Sequence, residues 1–293
     1  MSALAERAEH AAPVEAAEGY RAGGTLPLRV ELVRQLKRRR TMVMGAVLFA
    51  LPIILVIAFW INGAPGEGNT QMNLMDSATA SAANFAAVNL FSAASFLLVI
   101  PVALFCGDTV ASEAGWSSLR YLLAAPVPRA RLLWSKLVVG LTLSLAAMVL
   151  LPIVALAIGT VAYGWGPLEL PTGGELGSGA AAWAMLVSVG YIFVSQLVTA
   201  ALAFWLSTRT DAPLGAVGGA VGLTIIGSVL NSVTALGDWR DFLPAHWQYA
   251  WLDVVNPQPD YTTMIQGISI SISYALVLFA LAFRGFGRKD VVS

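Results

Sequence analysis

The chain has 293 residues, of which 57% are hydrophobic and 12% charged, with 17 basic and 17 acidic side chains and a mean hydropathy of +0.73. This is the composition of a membrane-embedded protein, and no nucleic-acid partner is expected of it. The single cysteine, Cys106, excludes a disulfide within the chain and a cysteine-based metal cluster.

Residues 1–27 are rich in Ala and Glu, with few large apolar groups, and are expected to form a disordered tail. In 28–40, Leu28, Leu32 and Leu36 recur every fourth residue among Arg29, Arg34, Lys37 and Arg38. That spacing predicts an amphipathic helix lying on the membrane surface; a basic cap that only fixes topology is the alternative. The 20-residue apolar run after KRRR, at 42–61, is too long for a signal core and reads as an anchoring span. Further runs of spanning length lie at 83–106, 132–162, 181–207, 214–236 and 263–283. The predicted fold is therefore an all-α membrane protein with six transmembrane helices, occupying 28–283 and followed by a short tail at 284–293.

The second run carries a loose polar stripe that includes Asn84, Asn89 and Ser92. Between the second and third runs, in the 107–131 region, Trp116, Leu119 and Leu123 fall on one helical face and Glu113, Ser117 and Arg120 on another. This predicts an amphipathic surface helix over 109–124, which either receives a push from a soluble partner or only seals the bilayer surface. Pro128 is placed to open the third span, with Arg129 and Arg131 at its interface and Lys136 near its start. In the fifth run, Gly215, Gly218, Gly219 and Gly222 form a seam with two GxxxG spacings, suited to close helix packing or a dimer contact. Thr224, Ser228 and Asn231 point away from that seam. The 237–262 segment is rich in aromatics and broken by prolines, predicting short re-entrant helices at the far interface. Trp247, Trp251 and Val254 trace one helical face there, beginning at Pro244. In the last run Thr262, Gln266, Ser269 and Ser273 share a face. A helix is expected despite the strand-like SISIS, because an isolated strand cannot satisfy its backbone in lipid.

With both termini cytoplasmic, 16 of the 17 Lys and Arg fall inside and only Arg240 outside. The spans are expected to hold no ionisable group at membrane depth, which disfavours an ion-coupled carrier. Their neutral polar stripes either line a path for an amphipathic substrate or hydrogen-bond between helices. No phosphate-binding loop, nucleophile and base pair or metal-ligand spacing is present in the sequence. The chain is accordingly read as no enzyme and as holding no cofactor or metal, so uphill transport would need a partner's energy.

The order Glu113, Gly115, Leu122, Leu123, Pro126, Arg129 and Lys136 between the second and third of six spans resembles the membrane subunits of ABC exporters of the second type, with the type V fold. The closing FRGFGRKDVV, with Phe286 and Asp290, is similar to how such subunits end. GWSS at 115–118 departs from the pattern, since many relatives have Thr or Ser directly after Gly. The resemblance implies an export permease for a drug, lipid or peptide in the cell membrane, paired with a second permease copy. Two copies of a separate ATPase would hold ATP and Mg. It further implies a connecting helix at 28–40, a coupling helix at 109–124 that sits on the ATPase through Glu113, Trp116, Leu119, Arg120, Leu123 and Arg129, and a substrate path bordered by the second and fifth spans. On the residues alone, the candidate path is Asn84, Asn89, Ser92, Thr224, Ser228, Asn231, Gln266 and Ser269. A non-transporting scaffold that recruits a cytoplasmic enzyme is the reading from another class.

Overall fold

The structure is a computed structural model and describes residues 28–63, 74–115, 128–170, 173–256 and 259–287. A short helix α1 (Leu28–Leu36) leads into α2 (Arg39–Asn62). The pair α3 (Ala82–Ala94) and α4 (Val99–Gly115) follows, then the long α5 (Arg129–Tyr163). A two-residue antiparallel ladder, Leu168–Glu169 with Glu175–Leu176, precedes α6 (Ser178–Ser195), α7 (Leu197–Arg209) and α8 (Pro213–Ser232). Short 3-10 turns at 234–242, 244–247 and 250–254 lead to α9 (Thr262–Gly287).

Among the described residues, five helical stretches are long and apolar enough to cross a membrane, with α6 and α7 counted as one, and the bent pair α3/α4 makes up to six. The chain is thus an all-α membrane-embedded protein. Hydrophobic length alone specifies these helices, since in lipid every backbone polar group must bond within its own segment. Pro52 and Pro152 lie inside α2 and α5 without ending them. The 51° bend between α3 and α4 has a local cause. Pro101 has no N–H to offer the carbonyl four residues back, so the helix restarts at Val99, where a proline in the first turn leaves no bond missing.

The centre of the bundle is α4, buried along most of its length and packed on α5, α7 and α8. Small residues permit this. A Cβ on Gly140 of α5 would stand 3.0 Å from the Phe105 carbonyl oxygen, and one on Gly107 would stand 3.1 Å from Val217 of α8. By contrast α2 and α8 have only 17% and 11% of their apolar windows buried, leaving broad faces open.

One end of the bundle collects the ends of α1, α4, α5, α7 and α9. Arg34 and Lys136 meet Glu113 there, Gly115 lies against the Asp211 carbonyl, and Arg129 Nη1 donates to the Gly287 carbonyl at 3.3 Å. The other, aromatic end holds the ladder and the 3-10 turns. Asn84 ties the loop after α5 to the start of α3, donating to Glu169 O at 2.8 Å and accepting from Glu169 N at 2.9 Å. Tyr191 Oη donates to Trp247 O at 2.6 Å.

Three expectations change. Residues 109–115 are not a separate surface helix but the buried last turns of α4, and Trp116, Leu119, Arg120 and Leu123 lie outside the described residues. The seam on α8 is mostly open, for a Cβ on Gly218 or Gly222 meets nothing within 4 Å, and only Gly219 abuts a neighbouring helix, at Leu206 of α7. The Trp247, Trp251 and Val254 face is split over two 3-10 turns, although Pro244 opens the first as expected.

Candidate functional site

The basic end holds a buried cluster of opposite charges. Asp108 and Glu113, on the last three turns of α4, are 2% and 1% exposed, and Lys136 of α5 is 2% exposed. Burying such groups singly costs several kcal/mol each, so they persist only when paired. Lys136 Nζ donates to Glu113 Oε1 at 2.6 Å, and Arg34 of α1 reaches the same oxygen. Glu31, one turn before Arg34, pairs with it at 2.6 Å and lies 3.6 Å from Lys136. Asp108 receives Arg38, at the turn into α2, and Arg40, in its first turn. Arg38 also donates to Ser112 Oγ at 3.4 Å. Four cations and three carboxylates from α1, α2, α4 and α5 thus interlock.

The shifted groups outside the spans follow from this packing. Burial opposes the ionisation of Glu31, but Lys136, Arg34 and Gln35 outweigh it and hold the carboxyl below its ordinary value. Burial likewise opposes the charge on Arg34, yet Glu31 and Glu113 hold its guanidinium above the ordinary value. At Arg38 burial prevails and lowers the guanidinium despite Asp108.

The packing of α1 modifies the amphipathic reading, since Leu32 and part of the polar side pack on the bundle. Its polar side, Glu31 and Gln35, faces the bundle, while Leu28 and Leu36 remain exposed, free to enter a bilayer surface. Glu113, expected on an outward face, is instead spent on internal partners. Lys136, expected only to anchor the span, is its buried counter-ion. The sequence held a signal for this: carboxylates just past one apolar run and a lysine just inside the next are complementary.

A second site sits nearer the aromatic end, where α7, α8 and the 244–247 turn border a half-open cavity of about 120 Å³. Thr224 and Ser228 line it, joined by Ser195, Gln196, Thr199 and Gln248. Asn231, just beyond, is 2.9 Å from His246 Nδ1, and His246 Nε2 lies 3.4 Å from Asp241. The remaining candidates do not converge here. Asn84 is occupied with the loop after α5. Asn89 donates to Phe85 O at 2.8 Å and Ser92 to Val88 O at 2.8 Å, each within α3. Gln266 and Ser269 are exposed on the side of α9 opposite its buried residues Met264, Gly267, Ser271 and Ala275. Ser269 and Ser273 satisfy their hydroxyls on their own helix, at 2.8 and 2.7 Å.

A family model described as a protein of unknown function, DUF2705, matches residues 41–292, and the chain belongs to that family. The chain is also similar to a Bacillus subtilis (strain 168) protein described as uncharacterized protein YhcI, 24% identical over 213 residues. The match covers 65% of this chain and 63% of that relative, less than two thirds of its length.

Proposed function

We propose that this chain is the permease subunit of an ATP-driven exporter, moving a hydrophobic or amphipathic molecule out of the cytoplasm or the inner leaflet. In this reading the basic end is cytoplasmic, and two permease copies work with two copies of a separate ATPase, which supplies ATP and Mg. The observation that carries it is the buried charge cluster. A soluble motor must move spans that it does not enter, and the cluster fastens the surface helix α1 to α4 and α5 through Glu113 and Lys136. A displacement of α1, or of the connection between α4 and α5, is thereby passed to two spans at once, since packed elements of this kind move as units. Glu113 acts as the internal linchpin of coupling rather than as a contact for the ATPase. The open faces of α2 and α8, with Gly218 and Gly222 unpacked, suit a second copy.

Purification of the tagged full-length protein from its own membranes, with mass spectrometry of what accompanies it, tests the reading. A phosphate-loop ATPase in equal amount is the expected result. Glu113→Gln should keep that partner while ATP hydrolysis no longer responds to transported substrate. Recovery with no such ATPase, or with a cytoplasmic enzyme of another class, overturns the proposal.

A further inference from the structure

We propose that the cavity between α7, α8 and the 244–247 turn binds the uncharged, hydroxyl-bearing headgroup of a neutral amphipathic lipid, its apolar part running past Leu202 and Leu223 into the bilayer. This concerns what the cavity holds and stands whether or not an ATPase drives the chain.

The volume of about 120 Å³ is room for roughly four waters at about 30 Å³ each, the scale of a glycerol unit. Among the described residues, no Asp, Glu, Lys, Arg or His lines it. An ionic headgroup would enter without a counter-charge and lose its hydration for nothing. The hydrogen-bonding groups are complementary to a hydroxyl. Thr224 gives its proton to Ala220 O at 2.9 Å, Ser228 to Thr224 O at 3.2 Å and Ser195 to Ile192 O at 2.9 Å. Each of these hydroxyls thus satisfies its own helix, and Thr199 Oγ1 lies 3.3 Å from Thr224 Oγ1, taking one of its lone pairs, so that Ser195 and Ser228 keep the freer acceptors and Thr224 has one acceptor site left. Gln196 is 9% exposed and fixed by donation to Ala94 O at 3.2 Å. Among the described residues its carbonyl oxygen has no partner, nor has the side-chain amide of Gln248. An occupant that excludes water from this half-open space without bonding these groups would leave them unpaired, which favours one that carries hydroxyls. A molecule with adjacent hydroxyls both donates and accepts there. Val198 and Leu202 continue the wall in apolar form, and Leu223 at the rim is 47% exposed, marking where a chain leaves the cavity.

The test uses the full-length protein in phosphatidylcholine nanodiscs with a trace of photoreactive monoacylglycerol carrying a diazirine beside the ester. An alkyl phosphate of equal chain length, with the same diazirine, is the charged control. Peptide mapping should show saturable labelling within 195–202 and 223–228 by the glycerol lipid, competed by unlabelled monoacylglycerol and not by the alkyl phosphate. Apparent affinity should fall about tenfold in Thr224→Val and in Gln248→Leu, one substitution on each side of the cavity. The two variants lie on different elements, so failure of one to fold leaves the other to decide. Labelling no stronger there than at exposed α2 positions such as Ile53 and Ile54, equal competition by the alkyl phosphate, or affinity unchanged in a folded variant overturns the proposal.

Discussion

Lys136 and Glu113 illustrate how a charged pair in a mostly apolar bundle is worth less than the cost of breaking it. Their attraction roughly offsets the desolvation of both ions, but removal of one leaves the other buried and uncompensated. Lys136→Met is therefore expected to destabilise the protein by about 3 kcal/mol or more, read as a lowered unfolding temperature in detergent. Glu113→Leu combined with Lys136→Met should recover most of the loss, since the pair is replaced by apolar volume. A double variant no better than the single one would mean that Arg34, the other partner of Glu113, needs that carboxylate more than Lys136 does. Glu31 gives a pH signature of the same cluster. Its carboxyl is held below its ordinary 4.5 in the folded chain. A depressed acid contributes stability that is complete above its ordinary value and is lost as pH falls through the folded one. Unfolding temperature measured from pH 7 downward should thus drop below about pH 4.5, and drop less steeply in Glu31→Gln. An identical acid limb in both would show that Glu31 contributes nothing through its charge.

At the scale of elements, helix contacts are decided by which glycines face a neighbour. Gly267 of α9 is the tightest. A Cβ there would overlap Tyr191 Oη and stand 2.7 Å from Trp247 Cβ, at the bond that joins α6 to the aromatic end. Gly267→Ala should cost about 1–3 kcal/mol by overpacking, whereas Gly222→Ala, facing open space, should leave folding intact or gain slightly in helix propensity. Thermal unfolding of the two variants side by side checks this, and equal losses would contradict the packing described. The contrast also shows what was legible in the sequence. The helical state of SISIS and the bounds of five runs to within about four residues followed from hydrophobic length and backbone satisfaction, whereas the second run, expected to end at 106, is broken by a bend and continues as α4 to Gly115. The GxxxG spacings on α8 were legible too, but spacing says that a helix can be approached, not that anything approaches it. Gly107, Gly140 and Gly267 have no such pattern and nonetheless mark close contacts. Polar stripes were ambiguous for the same reason. Thr224 and Ser228 reached a shared cavity, while Gln266 and Ser269, at equally regular spacing, point away from the bundle. In the buried charge cluster, the Arg34–Glu113 and Arg38–Asp108 pairs were not legible because they join residues 79 and 70 positions apart, each of which reads alone as a flank of its own span, whereas Lys136 and Glu113, 23 positions apart, left a signal in the sequence.

For the molecule as a whole, the separation of charge between its two ends carries the orientation. The basic end holds Arg34, Arg38, Arg40, Lys136 and Arg209, whereas the aromatic end holds Glu169, Glu175, Asp238, Asp241 and Asp260, with Arg240 as its one described cation. Positive charge near span ends is usually retained on the cytoplasmic side, so the orientation we propose has the basic end, with Leu28 and Gly287 beside it, facing the cytoplasm. Cysteine labelling can decide this with little background, because the chain's one native cysteine, Cys106, is fully buried in α4. Asp238→Cys, exposed at the aromatic end, should react with a membrane-impermeant maleimide added to intact cells. Ala212→Cys, exposed between α7 and α8 at the basic end, should react only after the membrane is opened. The reverse pattern would put α1 and the charge cluster outside, where no cytoplasmic motor reaches them, and would remove the coupling role proposed for Glu113 together with the orientation. Labelling of both positions in intact cells would instead mean a water-filled route past Ala212. The closed packing of α4 against α7 and α8 through Gly107 argues against that route, since its Cβ position leaves no more than 3.4 Å to Ala203 and Val217.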